Sequence, residues 1–370
     1  MNRSARKGSL ICLSVGVMEF EKYKTMHFPR DVLVGHGVIS SVPSIVSTYL
    51  RRGSVVIVTG SITYGLAGKE VETLLQEAGF QTHTLITGPA SFKNIKDVED
   101  NLKDLSPGLL IGVGGGSKID ITKKVASDLN VPFLSVPTSP SHDGIASPRA
   151  SIKGNGSVVS ETAVMPLAII ADTAIMVKAP YRYLAAGAAD VISNETALLD
   201  WKLASRVKGE DYSSSAAALS EYSSRELIEK AHMILPGVEE SVWLVTKQIL
   251  ASGTAMAIAS SSRPASGSEH MFSHAIDLLG NSKAIHGEQC AMGSVVSMYL
   301  HGGNWQKLAS VYDTIKLSIK ARDYGLSNED VISALATAHS IRPDRFTILG
   351  ETDLSLSAAE KALEVTGIIE

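Results

Sequence analysis

The segment SEHMFSHAIDLLGNSKAIHGEQ gathers His270, His274 and His286, three of the ten histidines in a chain of 370 residues. Neutral imidazole is the commonest protein metal ligand, and a catalytic zinc takes three protein donors and leaves one position for water or substrate. Residues four apart share a helix face, so His270 and His274 point the same way, beside apolar Met271, Ala275, Leu278 and Leu279. His286 opens a second helical segment, HGEQCAMGSVVSMYL, after a turn at Gly280 and Asn281. A short connection makes the two helices antiparallel neighbours and lets His286 face back toward the first. The pattern is not H-E-x-x-H, so metalloprotease chemistry is not indicated. A carboxylate would complete the donor set, and GAADVISN offers Asp190 among alanines in a helical stretch. A buried, unpaired aspartate is costly enough to require a cation or strong hydrogen bonds. Spacing alone leaves two readings open: a metal site at Asp190, His270 and His286, or histidines satisfied by hydrogen bonds.

A second group is GVGGGSKID, residues 112–120, placed where a strand ends and a helix begins. Gly114, Gly115 and Gly116 would let the backbone approach a pyrophosphate at a helix amino terminus, with Ser117 as the N-cap. The match to G-x-G-x-x-G fails at Ser117, and the G-x-x-x-x-G-K-[ST] spacing fails as well, so a plain tight turn is the competing reading. TSPSHDGIASP, residues 138–148, follows the next strand and shares its sheet edge. It carries Thr138, Ser139, Ser141, His142 and Asp143 beside Gly144, although a polar loop with capping residues would look the same.

These groups must be held by the elements around them. SVVIVTG reads as a buried strand, YGLAGKEVETLLQEAGF as a helix ending at Gly79, THTLITG as a strand, NIKDVEDNLKDL as a helix and GLLIGVGGG as a strand. SKIDITKKVASDLN is the next helix and PFLSVPTS the next strand, an alternation that predicts a doubly wound parallel sheet. SIKGNGSVVS predicts a hairpin before the strand LAIIAD. Beyond Asp172 the stretches RYLAAGAADVISNETALLDWKLASR, SSAAALSEYSSRELIEKAHMIL and SVWLVTKQILASGTAMAIASS are long and helical in period. The expected fold is α/β: a Rossmann-like amino-terminal domain over 1–177 and an all-helical domain over 178–370, divided near Pro180.

Composition narrows the class of partner. Lys and Arg number 34 against 38 Asp and Glu, which leaves no electrostatic footprint for nucleic acid or an anionic membrane, so a small molecule is expected. Cys12 and Cys290 are too few for a disulfide framework, which points to a reducing compartment, the cytoplasm. The opening MNRSARKGSLICLSVGVMEF has a signal-like apolar run from Leu10 to Val17, but no small-residue cleavage site precedes Glu19 and Glu21. Residues 1–17 are expected to be a disordered arm, with Met18 an alternative start. No apolar run elsewhere approaches the length of a membrane span.

Together, GVGGGSKID, TSPSHDGIASPRASI, GAADVISN, SEHMFSHAID and IHGEQ resemble the sn-glycerol-1-phosphate dehydrogenases of archaeal ether-lipid synthesis. More broadly they are similar to the superfamily of iron-type alcohol dehydrogenases, glycerol dehydrogenases and dehydroquinate synthases. The resemblance runs from about residue 28 to the end and is dense between 110 and 290. It implies a Rossmann-like domain and a helical domain with NAD or NADP and one zinc ion per subunit meeting in the cleft, as in dehydroquinate synthase. It also implies that Gly116, Ser117, Lys118, Ile119 and Asp120 form the cofactor loop, with Gly114 and Gly115 before it. Thr138, Ser139, Pro140 and Ser141 match a second cofactor segment, and Ser147 a further contact. Asp143 matches a substrate contact, Asp190, His270 and His286 the zinc ligands, and His274 a substrate histidine that is not a ligand.

The implied reaction is reversible hydride transfer between NAD(P)H and dihydroxyacetone phosphate, giving sn-glycerol 1-phosphate, the backbone of archaeal ether phospholipids. Catalytic roles fall to His274, Asp143 and Asp190, with Asp190 touching both metal and substrate and His274 relaying a proton or orienting a hydroxyl. A dehydroquinate synthase is less similar, because this chain has GGGSKIDITK and AADVISN where those enzymes have a GGGVVGDLAGF-like loop and a glutamate ligand. A glycerol dehydrogenase would lack the phosphate requirement, for which Arg149 or Lys153 could supply the cation. No acid stands in Ser61-Ile62-Thr63 after the first long strand to reject a 2′-phosphate, so NAD and NADP both remain open. The ligand set also suits iron or nickel. A homo-oligomer is compatible with all of this.

Overall fold

The computed structural model describes residues 25–154 and 157–370; the expected arm, Met18 and Cys12 lie outside the described residues. Six parallel strands form one sheet in the order β1-β8-β5-β4-β2-β3. They are β1 (Asp31–Gly35), β2 (Ser54–Thr59), β3 (Gln81–Ile86), β4 (Leu109–Gly114), β5 (Phe133–Pro137) and β8 (Ala168–Asp172). Strands β4, β5 and β8 are buried along their whole length, as continuous apolar runs in a sheet covered on both faces must be. Helices α1 (Val42–Tyr49), α2 (Ser61–Thr63), α3 (Lys69–Glu77), α4 (Phe92–Leu102) and α5 (Gly116–Leu129) make the crossovers. A π-helical turn over Tyr64–Gly68 joins α2 to α3, and the expected stop at Gly79 is there, in the left-handed region at φ 85°.

The order of the strands decides where a ligand can enter. From β2 the chain moves outward to β3 and then returns past β2 to β4, so the loops after β2 and β4 flank the switch point of the sheet. Thr59, Gly60 and Thr63 close the first of these loops on themselves, Thr63 Oγ1 accepting from Gly60 N–H at 2.9 Å. The expected hairpin is present as antiparallel β6 (Arg149–Gly154) and β7 (Ser157–Thr162), inserted between β5 and β8. It packs on α5 at one side and, through β7, on the helix that carries His270 and His274.

After the short α6 (Thr173–Met176) every element is helical: α7 (Tyr181–Ile192), α8 (Asn194–Lys208), α9 (Ser214–Glu229), α10 (Glu239–Ala259), α11 (Ser268–Leu279), α12 (His286–Leu300), α13 (Trp305–Thr314), α14 (Asn328–Ile341) and α15 (Leu356–Val365). The stretch from Arg182 to Arg206 is two helices where the sequence suggested one. The Ser193 hydroxyl donates to the carbonyl of Asp190 at 2.7 Å, a local bond of the kind that competes with the helical ladder and bends it. Helix α10 is long and apolar enough by composition to cross a membrane, yet it packs against α7 and α9 and buries 61% of that apolar window. It is the central helix of this half.

Candidate active site

Asp190 projects from α7, His270 and His274 from α11, and His286 from the first position of α12. Close contact between α12 and α7 depends on Gly287, where a Cβ would come within 1.9 Å of the Ala186 carbonyl oxygen. With that contact made, His286 Nε2 stands 3.3 Å and His270 Nε2 3.7 Å from Asp190 Oδ1. Donors about 2.1 Å from a tetrahedral ion stand roughly 3.4 Å apart, so these three atoms are spaced as ligands are. Asp190 Oδ1 is buried and accepts no hydrogen bond among the described residues, whereas Oδ2 accepts from Asp143 N–H at 2.9 Å. Burial alone would raise the Asp190 carboxyl, but the His286 and His270 imidazoles hold it well below the usual range. A carboxylate oxygen left bare between two imidazole nitrogens fits a cation.

The supports of these donors are also built in. Glu269 is fully buried and places Oε1 2.9 Å from His270 Nδ1, turning Nε2 toward Asp190. Ser273 Oγ lies 3.3 Å from His286 Nδ1 and donates to Gln289 Oε1 at 2.6 Å. His274 stands apart, its ring centroid 6.5 Å from that of His270 and 6.3 Å from that of His286. Its Nδ1 makes no hydrogen bond, and burial drives its pKa well below the ordinary value, so the ring is a neutral group facing the cleft. The chemistry of the set includes one donor that the sequence reading passed over. Cys290 Sγ lies 3.6 Å from His286 Nε2 and 3.8 Å from His270 Nε2, and all four donor atoms fall within 4.8 Å of one another.

The glycine loop approaches from the sheet. Gly115, not Ser117, is the N-cap of α5; the Ser117 oxygen is already taken, accepting from Ala90 N–H at 2.7 Å. The first backbone N–H groups of α5 therefore open at the switch point, the arrangement that binds phosphate elsewhere. At Gly116 a Cβ would come within 1.6 Å of His142 Nε2, so only glycine leaves room for that ring. Ile119 is wholly buried in the core and has only its backbone to offer a cofactor, whereas Lys118 donates to the Gly88 carbonyl across the end of the sheet. Thr138 and Ser139 are buried beside the loop, with Thr138 N–H bonded to the Gly114 carbonyl at 3.0 Å. The chain then carries Pro140 and Ser141 past α7 to Asp143.

Asp120, Asp143, Ser147 and the three histidines line a single cleft. Asp143 Oδ2 accepts from Ser252 Oγ at 2.9 Å; burial, with the Asp190 charge adding to it, pushes its carboxyl up to about 7. Arg149 lines this cleft and Lys153 does not: Lys153 is exposed on the hairpin. Arg342, at the end of α14, lines it as well, and no short-range pattern in the sequence connects it to the histidines.

The family profile of iron-containing alcohol dehydrogenases matches residues 33–180. A glycerol-1-phosphate dehydrogenase [NAD(P)+] of Picrophilus torridus is 61% identical over 352 residues, covering 95% of this chain and 100% of that one. The chain belongs to the glycerol-1-phosphate dehydrogenase family. Another member, from Thermoplasma volcanium, is 58% identical over the same length, 95% of this chain and 100% of that one. Among solved structures, a glycerol dehydrogenase of Schizosaccharomyces pombe superposes with a TM-score of 0.79 at 22% identity, over 94% of this chain and 92% of that one. An NADH-dependent butanol dehydrogenase of Thermotoga maritima gives 0.74 at 15% identity, over 93% and 98%. These two likenesses show the fold, a parallel α/β sheet followed by helices; the family rests on the relatives.

Proposed function

We propose that this chain reduces dihydroxyacetone phosphate to sn-glycerol 1-phosphate with NAD(P)H, at the cleft between the glycine loop and the Asp190, His270 and His286 cluster. The observation that carries the reading is Asp190 Oδ1, bare and buried between the ring nitrogens of His270 and His286, which line a cleft together with Asp120 of α5 and His142, the ring that stands against Gly116. The identity to named glycerol-1-phosphate dehydrogenases supports the same reaction.

When bound, a zinc ion at Asp190, His270 and His286 supplies Lewis acidity to the substrate carbonyl, and the nicotinamide supplies hydride. The chain does the rest. Gly114, Gly115, Gly116 and the backbone of Ser117, Lys118 and Ile119 receive the cofactor pyrophosphate, and Asp120, Thr138, Ser139, Pro140, Ser141 and Ser147 line its path. Asp143 holds a substrate hydroxyl, its position fixed by the Ser252 hydroxyl and by its own N–H on Asp190. His274, buried and neutral at the cleft, orients the substrate and relays a proton. Residues 1–177 form the cofactor half and 178–370 the metal and substrate half, and the reaction is placed in the cytoplasm, where thiols such as free, buried Cys290 stay reduced.

The test is NADH and NADPH oxidation by the purified protein with dihydroxyacetone phosphate or dihydroxyacetone, with metal analysis and chiral identification of the product. Turnover of the phosphate ester to the sn-1 product by zinc-loaded protein is expected. Preference for the unphosphorylated triose, or an sn-3 product, would overturn the assignment.

A further inference from the structure

Two guanidinium groups enter the cleft, and among the described residues neither makes an ion pair with a carboxylate, although the Glu161 charge reaches Arg149 at longer range. Arg342 follows the last turn of α14, and its side chain lines the same cleft as His270, His274 and His286. Among the described residues its guanidinium makes no hydrogen bond and no ion pair. Arg149 lines the cleft from the start of β6, and its donors are spent on neutral acceptors: Ser160 Oγ at 3.2 Å, Thr162 Oγ1 at 2.7 Å and the Ser160 carbonyl at 2.5 Å. The two carboxylates that line the cleft are engaged elsewhere, Asp120 with Lys123 at 3.6 Å and Asp143 with Ser252.

The neighbouring arginines show what a structural role looks like here. Arg263 pairs with Glu210, and Arg345 donates to the Ser266 carbonyl and to Ser262 Oγ. Arg342 has no such use. Burial and the like charge of Arg149 both push its pKa down, the mark of a cation held in a cleft beside another cation. Arginine stays charged under these conditions, so the repulsion persists until an anion enters. The backbone of Arg149 is fixed for this: the wholly buried Lys123 ammonium donates to its carbonyl at 2.6 Å.

We propose that Arg342, with Arg149 beside it, is the subsite for the phosphomonoester of the substrate and sets the preference for phosphorylated over unphosphorylated triose. The proposal rests on the reading of the cleft as the site of dihydroxyacetone phosphate reduction. A planar guanidinium can give two parallel N–H bonds to a phosphate dianion, which an ammonium cannot. The hydroxyls of Ser262 and Ser266 line the same cleft.

The experiment measures kcat/KM for dihydroxyacetone phosphate relative to dihydroxyacetone in zinc-loaded wild type, Arg342→Ala, Arg342→Lys and Lys153→Ala, together with the inhibition constant of inorganic phosphate. Loss of a charged hydrogen-bonding partner is expected to lower the ratio on the order of 100-fold in Arg342→Ala, with a smaller loss in Arg342→Lys. The phosphate inhibition constant should rise in parallel, and Lys153→Ala should match wild type. Should Arg342→Ala not fold, Arg342→Lys carries the test through the same two readings. A wild type with no preference for the ester would overturn the functional reading and the subsite with it. A wild-type preference retained in Arg342→Ala and Arg342→Lys, with phosphate inhibition unchanged, would overturn the subsite alone.

Discussion

The backbone N–H of Asp143 donates to Oδ2 of Asp190 at 2.9 Å. This bond joins the loop after β5 to α7, so the residue expected to touch substrate and the residue expected to hold metal are set by one contact. It also divides the work of the Asp190 carboxylate: Oδ2 is committed to the loop, and Oδ1 is left to the imidazoles.

Asp190→Asn should therefore fold and keep the loop in place, because its amide oxygen can still accept from Asp143. The group then facing His270 and His286 is an NH₂, which is no metal ligand. Bound zinc should fall to background and turnover by at least about 100-fold. Melting temperature and zinc content, measured on the same preparation, check both halves; a variant that retained stoichiometric zinc would remove Asp190 from the ligand set.

The histidines should separate into two classes. His270→Ala and His286→Ala lose metal and activity together, since each Nε2 stands within 3.7 Å of Asp190 Oδ1. His274→Ala keeps its metal and loses activity, its ring lying more than 6 Å from both neighbours. Metal analysis alongside NADH oxidation decides. Zinc lost from His274→Ala but kept by His270→Ala would reverse the assignment.

Glu269 acts on the metal only through His270, so Glu269→Gln should weaken binding without emptying the site. A partner of this kind is typically worth about 10- to 100-fold in metal affinity. Competition with a chelator, followed by released zinc, reads that shift directly. Because Glu269 also accepts from Gly267 N–H and from Thr196 Oγ1 at 3.0 Å, the neutral amide is preferable to alanine, which would remove both bonds and leave the Gly267 N–H unpaired.

The parts of this architecture visible in the sequence are those governed by short-range pattern. LLIGVG and AIIAD read as buried parallel strands because nothing in them must face water, and His270 pairs with His274 through helical period alone. Cys290 is equally accessible, since it follows His286 by one turn and shares its face, but a lone cysteine in the sequence reads as a thiol and not as a metal donor. Ser117 reads as a cap because a hydroxyl near a helix start signals capping, and the sequence does not show that Ala90 N–H claims its oxygen while Gly115 takes the N-cap position. Arg342 has no local signal: it reaches the cleft only once α14 has packed on α11, a tertiary fact.

Cys290 tests the open position that catalysis requires. Four donors lie close enough to bind one ion, yet a site closed by all four has no place for substrate. Cys290→Ala should retain zinc and turnover within a few fold, at a stability cost of about 1 kcal/mol for the small buried void. Cobalt substitution gives an independent view, because a thiolate ligand produces an intense near-ultraviolet charge-transfer band that nitrogen and oxygen donors do not. Such a band in the wild type, lost in Cys290→Ala, would make the thiol a ligand.

Gly287 ties packing to chemistry. Its missing Cβ is what allows α12 to lie against the Ala186 carbonyl, and His286 is the residue immediately before it. Gly287→Ala inserts a methyl where a backbone oxygen already stands, and backbone cannot give way as a side chain can. The helices must separate, costing about 1–3 kcal/mol by the usual measure of overpacking. Helix propensity acts in the opposite sense by up to about 1 kcal/mol, so a net loss of stability would show that packing wins. The displacement carries His286 away from Asp190, so zinc affinity should fall along with melting temperature. Gly302→Ala is the comparison: a Cβ there meets nothing within 4 Å, although its φ of 68° disfavours alanine, so it should lose stability and keep its zinc. Equal loss of zinc from both variants would show that general destabilisation, and not the spacing of α7 and α12, governs the metal site.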